Sequence, residues 1–190
     1  MGGYKDDPTH GPSSIHPSSD PRLGTLPLNP QQVASSGDAV AYATAKLAGE
    51  RLAVTLAKLY AETTTFVALR IGWCQPGENL PCTLSAAGSP PEFLTGKGEE
   101  VPEPSQDDAK DELWFKRMWL SNRDFLSYFD AAIDLSVPTT EEIKDNVNGH
   151  RNARKGFVLV NAMSRNSDAK WNLEETEKWL GVVSKDDSLA

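Results

Sequence analysis

The stretch "AYATAKLAGERLAVTLAKLYAETTTFVALRIGW", residues 41–73, decides the fold. From Asp38 to about Tyr60 the chain is an unbroken run of good helix formers, so a helix is expected there. Leu52, Leu56 and Leu59 fall on one stripe with Ala45 and Ala48, and that stripe is expected to face a core. "TTTFVALRIGW", residues 63–73, is β-branched, aromatic and apolar almost throughout. Such a run marks a strand covered on both faces, as in a parallel sheet. A helix running directly into such a strand is an α/β unit.

Outward from this unit, "GFVLVNAM", residues 156–163, reads as a second buried strand. Between the two strands the chain first becomes rich in Pro and Gly and then acidic. Residues 75–112 are therefore expected to form a surface excursion. Ser121 followed three residues later by Asp124 has the form of a capping box, so a helix should begin there and bury Phe125, Leu126, Phe129 and Ile133. Asn172 and Glu175 repeat the pattern before a short helix with Leu173, Trp179 and Leu180 that stops at Gly181. Residues 1–37 show neither helical nor strand periodicity and are expected to be irregular loop, unusually long for a compact domain. The expected order is helix, strand, excursion, helix, strand, helix.

The 190 residues are 38% hydrophobic with a formal net charge of -8. Without a Lys/Arg cluster that balance argues against a nucleic-acid surface, since phosphate contacts need concentrated positive charge. No apolar run approaches the ~20 residues that cross a bilayer, and the opening lacks a secretory pattern. A cytoplasmic protein without membrane partners is the expectation. Cys74 and Cys82, eight residues apart in a Pro/Gly-rich stretch, suit neither a zinc knuckle nor a disulfide framework and are read as free thiols. His10, His16 and His150 sit in polar, loop-like sequence with no second ligand at metal-binding spacing, so no metal is expected.

The helix itself carries chemistry. Tyr42 and Lys46 are four apart, which puts them on one helical face with Cβ atoms about 5 to 6 Å apart. An ammonium at that range favours the phenolate and can bring a phenol into acid-base service. Ala41, Ala43, Ala45, Ala48 and Gly49 leave room for a flat ligand or a second helix to come close. An amphipathic surface pair with no chemical role is the competing reading of the same spacing.

"YATAKLAGERLA", with the strand "FVALRIGW" after it, resembles the active-site helix and following strand of the extended short-chain dehydrogenase/reductases, the NAD-dependent epimerase/dehydratase family. "MWLSNRDF" is similar to the family's late segment at the substrate domain, and "NAMSRNSDAKWNLEETEKWLG" to its last strand and closing helix. The "RIGW" and "WLSNRD" pieces are nearest to the uronate dehydrogenase-like branch. The resemblance covers about residues 38–185, makes 38–190 the C-terminal part of an NAD(P)-binding domain, and implies a Rossmann-like parallel sheet with NAD or NADP as cofactor and a sugar or sugar acid as substrate. It implies that Tyr42 donates and accepts the proton and that Lys46 holds the nicotinamide ribose. It places Ile71, Gly72 and Trp73 beside the nicotinamide, with Cys74 close to the substrate and Arg117 on a substrate carboxylate. Arg117 lies at a shorter spacing than the branch shows, and a surface or core-edge arginine is the alternative there. A homodimer through the helix carrying Tyr42 is also implied.

One part of the family pattern is missing. Neither G-x-x-G-x-x-G nor G-x-G-x-x-G occurs in the chain, and "GKG" at 96–98 follows no strand and opens no helix. The family places that phosphate loop in an N-terminal half of βα units, so an incomplete sheet is expected, in a truncated and by itself inactive enzyme. The alternative is a non-catalytic interaction module, or pseudoenzyme, descended from the same family.

Overall fold

A computed structural model describes residue 15 and residues 37–84, 106–136 and 153–190. Its elements are α1 (Gly37–Tyr60), β1 (Phe66–Ile71), a short 3-10 turn (Pro81–Thr83), α2 (Gln106–Arg117), α3 (Asn122–Asp134), β2 (Ala153–Arg154), β3 (Phe157–Ala162) and α4 (Glu174–Leu180). The strands form one sheet in the order β1-β3-β2. Phe66 N–H donates to the Gly156 carbonyl and Gly72 N–H to that of Ala162, an equal advance on both strands, so β1 and β3 run parallel. β2 pairs antiparallel with β3, Ala153 opposite Val158. Helices with a parallel strand pair make this an α/β fold.

The two long strands are equally apolar, yet their surroundings differ. All of β3 is buried, as its sequence implies, whereas β1 is only half-buried and ends on an exposed Ile71. The expectation that β1 is covered on both faces therefore fails. Among the described residues β1 is an edge strand, and an edge strand lacks one neighbour's side chains.

The chain divides into two compact units, with β1 divided after Ala68 and β3 after Leu159. In the first, α1 packs on the strands through Ala53, Val54 and Ala57, against Phe66, Ala68, Phe157 and Leu159. This corrects the expected leucine stripe, because Leu52 is 58% and Leu59 70% exposed. The strands supply the bulk, so the facing side of the helix needs small residues, and the leucines stand on its flank. Small residues also fit at the β2–β3 turn. Gly156 has φ +74°, and a Cβ there would lie 2.8 Å from Ala61. Lys155 beside it pairs with Glu62.

In the second unit Trp73 forms a parallel bridge with Trp119: its N–H donates to the Met118 carbonyl at 2.7 Å and its carbonyl accepts from Leu120 N–H at 2.9 Å. The start of α3 follows the capping reading, with Ser121 as N-cap accepting from Asp124 N–H at 3.0 Å. The buried residues of α3 differ from those expected: Asp124 and Tyr128 are inside, while Leu126, Phe129 and Ile133 are exposed. Tyr128 donates to the Met163 carbonyl at 2.9 Å, and that bond together with the Asp124 contacts turns the polar side of the helix inward. Phe125 and Phe129 stack on each other with ring centroids 4.4 Å apart.

The α4 start is simpler than a box. Asn172 Oδ1 takes Glu174 N–H at 3.0 Å, while Glu175 accepts from the Trp179 indole, and Gly181 closes the helix in the left-handed region. Within residues 75–84, Pro76, Gly77, Glu78, Leu80 and Cys82 are exposed. Gln75, Asn79 and Leu84 are buried, Asn79 donates to the Leu120 carbonyl at 2.7 Å and accepts from the Trp119 indole, and a side chain with those partners is core. The acidic end of the excursion is helical in α2. The rest of it, residues 85–105, lies outside the described residues, as do His10, His16, His150 and all of the expected N-terminal loop except Ile15 and Gly37. Ile15 is buried and bridges to Trp171. Among the described residues no helix is long and apolar enough to cross a membrane.

Candidate functional site

Tyr42 and Lys46 lie on α1, in the first unit. The lysine ammonium stands over the tyrosine ring, 5.2 Å from its centroid, the geometry of a cation–π contact. Tyr42 is 66% exposed, and no hydrogen bond ties its hydroxyl to another described residue. A Cβ added at Gly49, one turn on, would meet nothing within 4 Å. The small-residue surface is therefore open beside the pair, and the phenol is accessible to a ligand from solvent.

Ile71 ends β1, and Gly72, Trp73 and Cys74 continue the turn of chain that follows it, all in the second unit. Gly72 is glycine for a packing reason: a Cβ there would lie 2.2 Å from the Met118 carbonyl oxygen and 2.8 Å from Met163. Its N–H is taken by Ala162, and both backbone groups of Trp73 are taken by the Met118–Leu120 segment. The Trp73 ring lies against Phe115, centroids 4.6 Å apart, and its buried indole N–H has no partner among the described residues. What stays open is the outward edge, made by the exposed Ile71 and a Gly72 carbonyl that meets only the Cys74 thiol at 3.9 Å.

Cys74 and Cys82 are both free and exposed. The Cys74 sulfur is nevertheless turned toward the Leu120 carbonyl at 3.7 Å, and burial of that end pushes the thiol up to about 11. At neutral pH it is a thiol, a weak nucleophile. Arg117, last residue of α2, directs Nη2 at Asp168 Oδ2 over 3.4 Å, a long contact, while its buried Nε has no partner among the described residues. An arginine held this loosely could take a carboxylate in exchange for Asp168. It directly precedes Met118, so Arg117 belongs to the same neighbourhood as the turn after β1.

The densest polar cluster was not expected as such. Asp124 is 2% exposed and accepts from Ser164 Oγ at 2.7 Å, Lys185 N–H at 3.0 Å and Asp186 N–H at 3.1 Å. Ser164 Oγ in turn accepts from Ser121 N–H at 2.9 Å, so Ser164 stands in the middle of the capping box and completes it. Ser121 donates to Asp186, which also pairs with Arg123. The signal for Asp124 was the box itself; nothing local announced Ser164 or the C-terminal segment.

No family model matches the chain, and neither a curated protein nor a solved structure matches it.

Proposed function

We propose that the chain is the C-terminal part of an NAD(P)-dependent epimerase/dehydratase or dehydrogenase of the extended short-chain type, acting on a sugar or sugar acid through a Rossmann-like sheet. The observation that carries this reading is the Tyr42–Lys46 pair, with an accessible phenol capped by an ammonium on an open, small-residue helix face. Bound NAD or NADP supplies the hydride acceptor or donor. Tyr42 takes the proton from, or returns it to, the substrate hydroxyl, and Lys46 holds ribose hydroxyls. Ile71, Gly72 and Trp73 would line the ring end, and Arg117 would orient a substrate carboxylate.

Turnover of a panel of sugars and sugar acids with NAD and NADP, in a full-length protein with a glycine-loop half restored ahead of this chain, as wild type and as Tyr42→Phe, is the test. The variant should lose about 10² to 10⁴ in turnover with cofactor affinity unchanged. Nearly full turnover in Tyr42→Phe would sink the assignment. Because the sequence has no glycine-rich phosphate loop, cofactor binding to this chain should be weaker than a low-micromolar dissociation constant, about -8 kcal/mol.

The second reading, a non-catalytic interaction module, is favoured by Leu52, Leu59 and Tyr60, all exposed on the same helix. No turnover even with the glycine-loop half restored, together with self-association of the chain in light scattering, would select it.

A further inference from the structure

Residues 184–189 are fastened differently from the rest of the second unit. They contain no helix or strand, and Ser184 is the one buried residue between Val183 and Ala190. Val183 and Leu189 are exposed, so apolar burial does little to hold this segment down. Its attachment is polar. Lys185 and Asp186 N–H groups donate to the two oxygens of Asp124. Asp186 accepts from Ser121 and Arg123. Asp187 accepts from Ser167 N–H at 3.0 Å, from the Ser167 hydroxyl and from Leu189 N–H at 2.9 Å. Ser188 donates its N–H to Asn166 Oδ1 at 3.0 Å and its hydroxyl to the Lys116 carbonyl at 2.6 Å. Arg165 Nε reaches the Ser184 carbonyl at 3.4 Å. Three of these anchoring groups are carboxylates acting only as acceptors, and protonation replaces an acceptor position with a donor.

We propose that residues 184–189 form an acid-released strap: as the Asp187 carboxylate protonates, the segment lifts from α3 and the turn after β3 while the fold beneath it persists, uncovering the Asp124 carboxyl. The charged and titratable groups facing the clasp are Arg123 and Tyr128 on α3, Arg165 after β3 with its partner Glu177 on α4, and Lys185 in the strap itself. Lys116 and Arg117 close α2 beside Ser188 and Asp168. Burial alone would raise Asp187, but the bonds from Ser167 and Leu189 outweigh it and hold the carboxyl below its usual range. A depressed carboxylate stabilises the closed form above its free value of about 3.9, and that contribution is lost as pH falls through the lowered one. The release window is therefore about pH 4 and below. Gly181, left-handed at φ 66° and clear of neighbours, marks where the strap leaves α4.

Residue-resolved amide exchange on the whole chain from pH 6 to pH 3, expressed as protection over the free-peptide rate, tests this. Lys185, Asp186, Ser188 and Leu189 should lose about 10- to 100-fold in protection, the scale of hydrogen bonds to charged groups, while Val160 and Ala162 of β3 keep theirs. At pH 6, Asp187→Ala should reproduce the loss at Leu189 and Ser167, and Asp124→Asn the loss at Lys185 and Asp186. Loss of protection in strap and β3 together, in either acid or the variants, overturns the proposal, as does a strap still protected at pH 3. Asp187 is on the surface side of the clasp, so its variant keeps the test available if Asp124→Asn does not fold.

Discussion

Tyr42 with Lys46 and Ser121 with Asp124 are the same kind of signal in a sequence, two functional side chains one helical turn apart. In the folded chain they meet opposite fates. The first pair is exposed, and the contact that ties it together is its own. The second is buried and bonded to Ser164, Lys185 and Asp186. Helical spacing states which residues share a face; it does not state what that face meets. An accessible pair is free to work on a ligand, and a pair with every position filled is committed to structure. That is why the acid-base proposal rests on α1, although the cluster at the start of α3 has more hydrogen bonds.

Two glycines and one tyrosine turn this contrast into measurements. Gly72 sits on the tight side, its Cβ position occupied by the Met118 carbonyl oxygen. Gly72→Ala should cost about 3 kcal/mol in urea unfolding, the upper range for overpacking, because a backbone atom has to move. A cost near zero would mean that the Gly72–Met118 approach is looser than drawn.

Tyr128→Phe removes the hydroxyl that serves the Met163 carbonyl and leaves that acceptor buried, for about 1 to 2 kcal/mol. The tyrosine also gives the effect a pH signature. Burial raises its phenol, so the stability it contributes is complete below the free value of about 10 and is lost as pH rises through the raised one. The wild type should weaken above about pH 10 by a share that Tyr128→Phe lacks, which a pH series of melts resolves.

On the open side, Gly49→Ala adds a methyl group where nothing lies within 4 Å and removes a helix-interior glycine. It should stabilise by about 0.5 to 1 kcal/mol. A destabilising result by thermal melt would show that this face is already covered, in solution, by a second molecule.

Much of the fold could be read from the sequence where the cause was local. The bounds of α1, the capping start of α3, the burial of β3 and the stop at Gly181 all follow from residues within a turn of each other. The misreadings share a different origin. Leu52 and Leu59 looked like a core stripe, but the core side of α1 had to be Ala53 and Ala57 because Phe157 and Phe66 fill the space opposite. Ile133 looked buried and is 81% exposed, since the polar partners of Asp124 and Tyr128 orient α3. β1 and β3 have similar composition, and sheet order alone makes one an edge. At the candidate site the Tyr42–Lys46 contact was legible, whereas the packing reason for Gly72 needed Met118, far along the chain.

Ile15 has a consequence for how the chain reaches this state. Its N–H donates to the Lys170 carbonyl and its own carbonyl accepts from Asn172 N–H and from the Asn161 side chain, all far along the chain from residue 15. The entropy of closing so long a loop grows only with the logarithm of its length, but it is incurred before any of those bonds is rewarded. The bridge therefore belongs to the end of folding. Asn161, fixed in β3 and donating through Nδ2 to the Asn172 carbonyl, offers the same amide group to the Ile15 carbonyl, so residue 15 docks onto a donor that β3 has already placed.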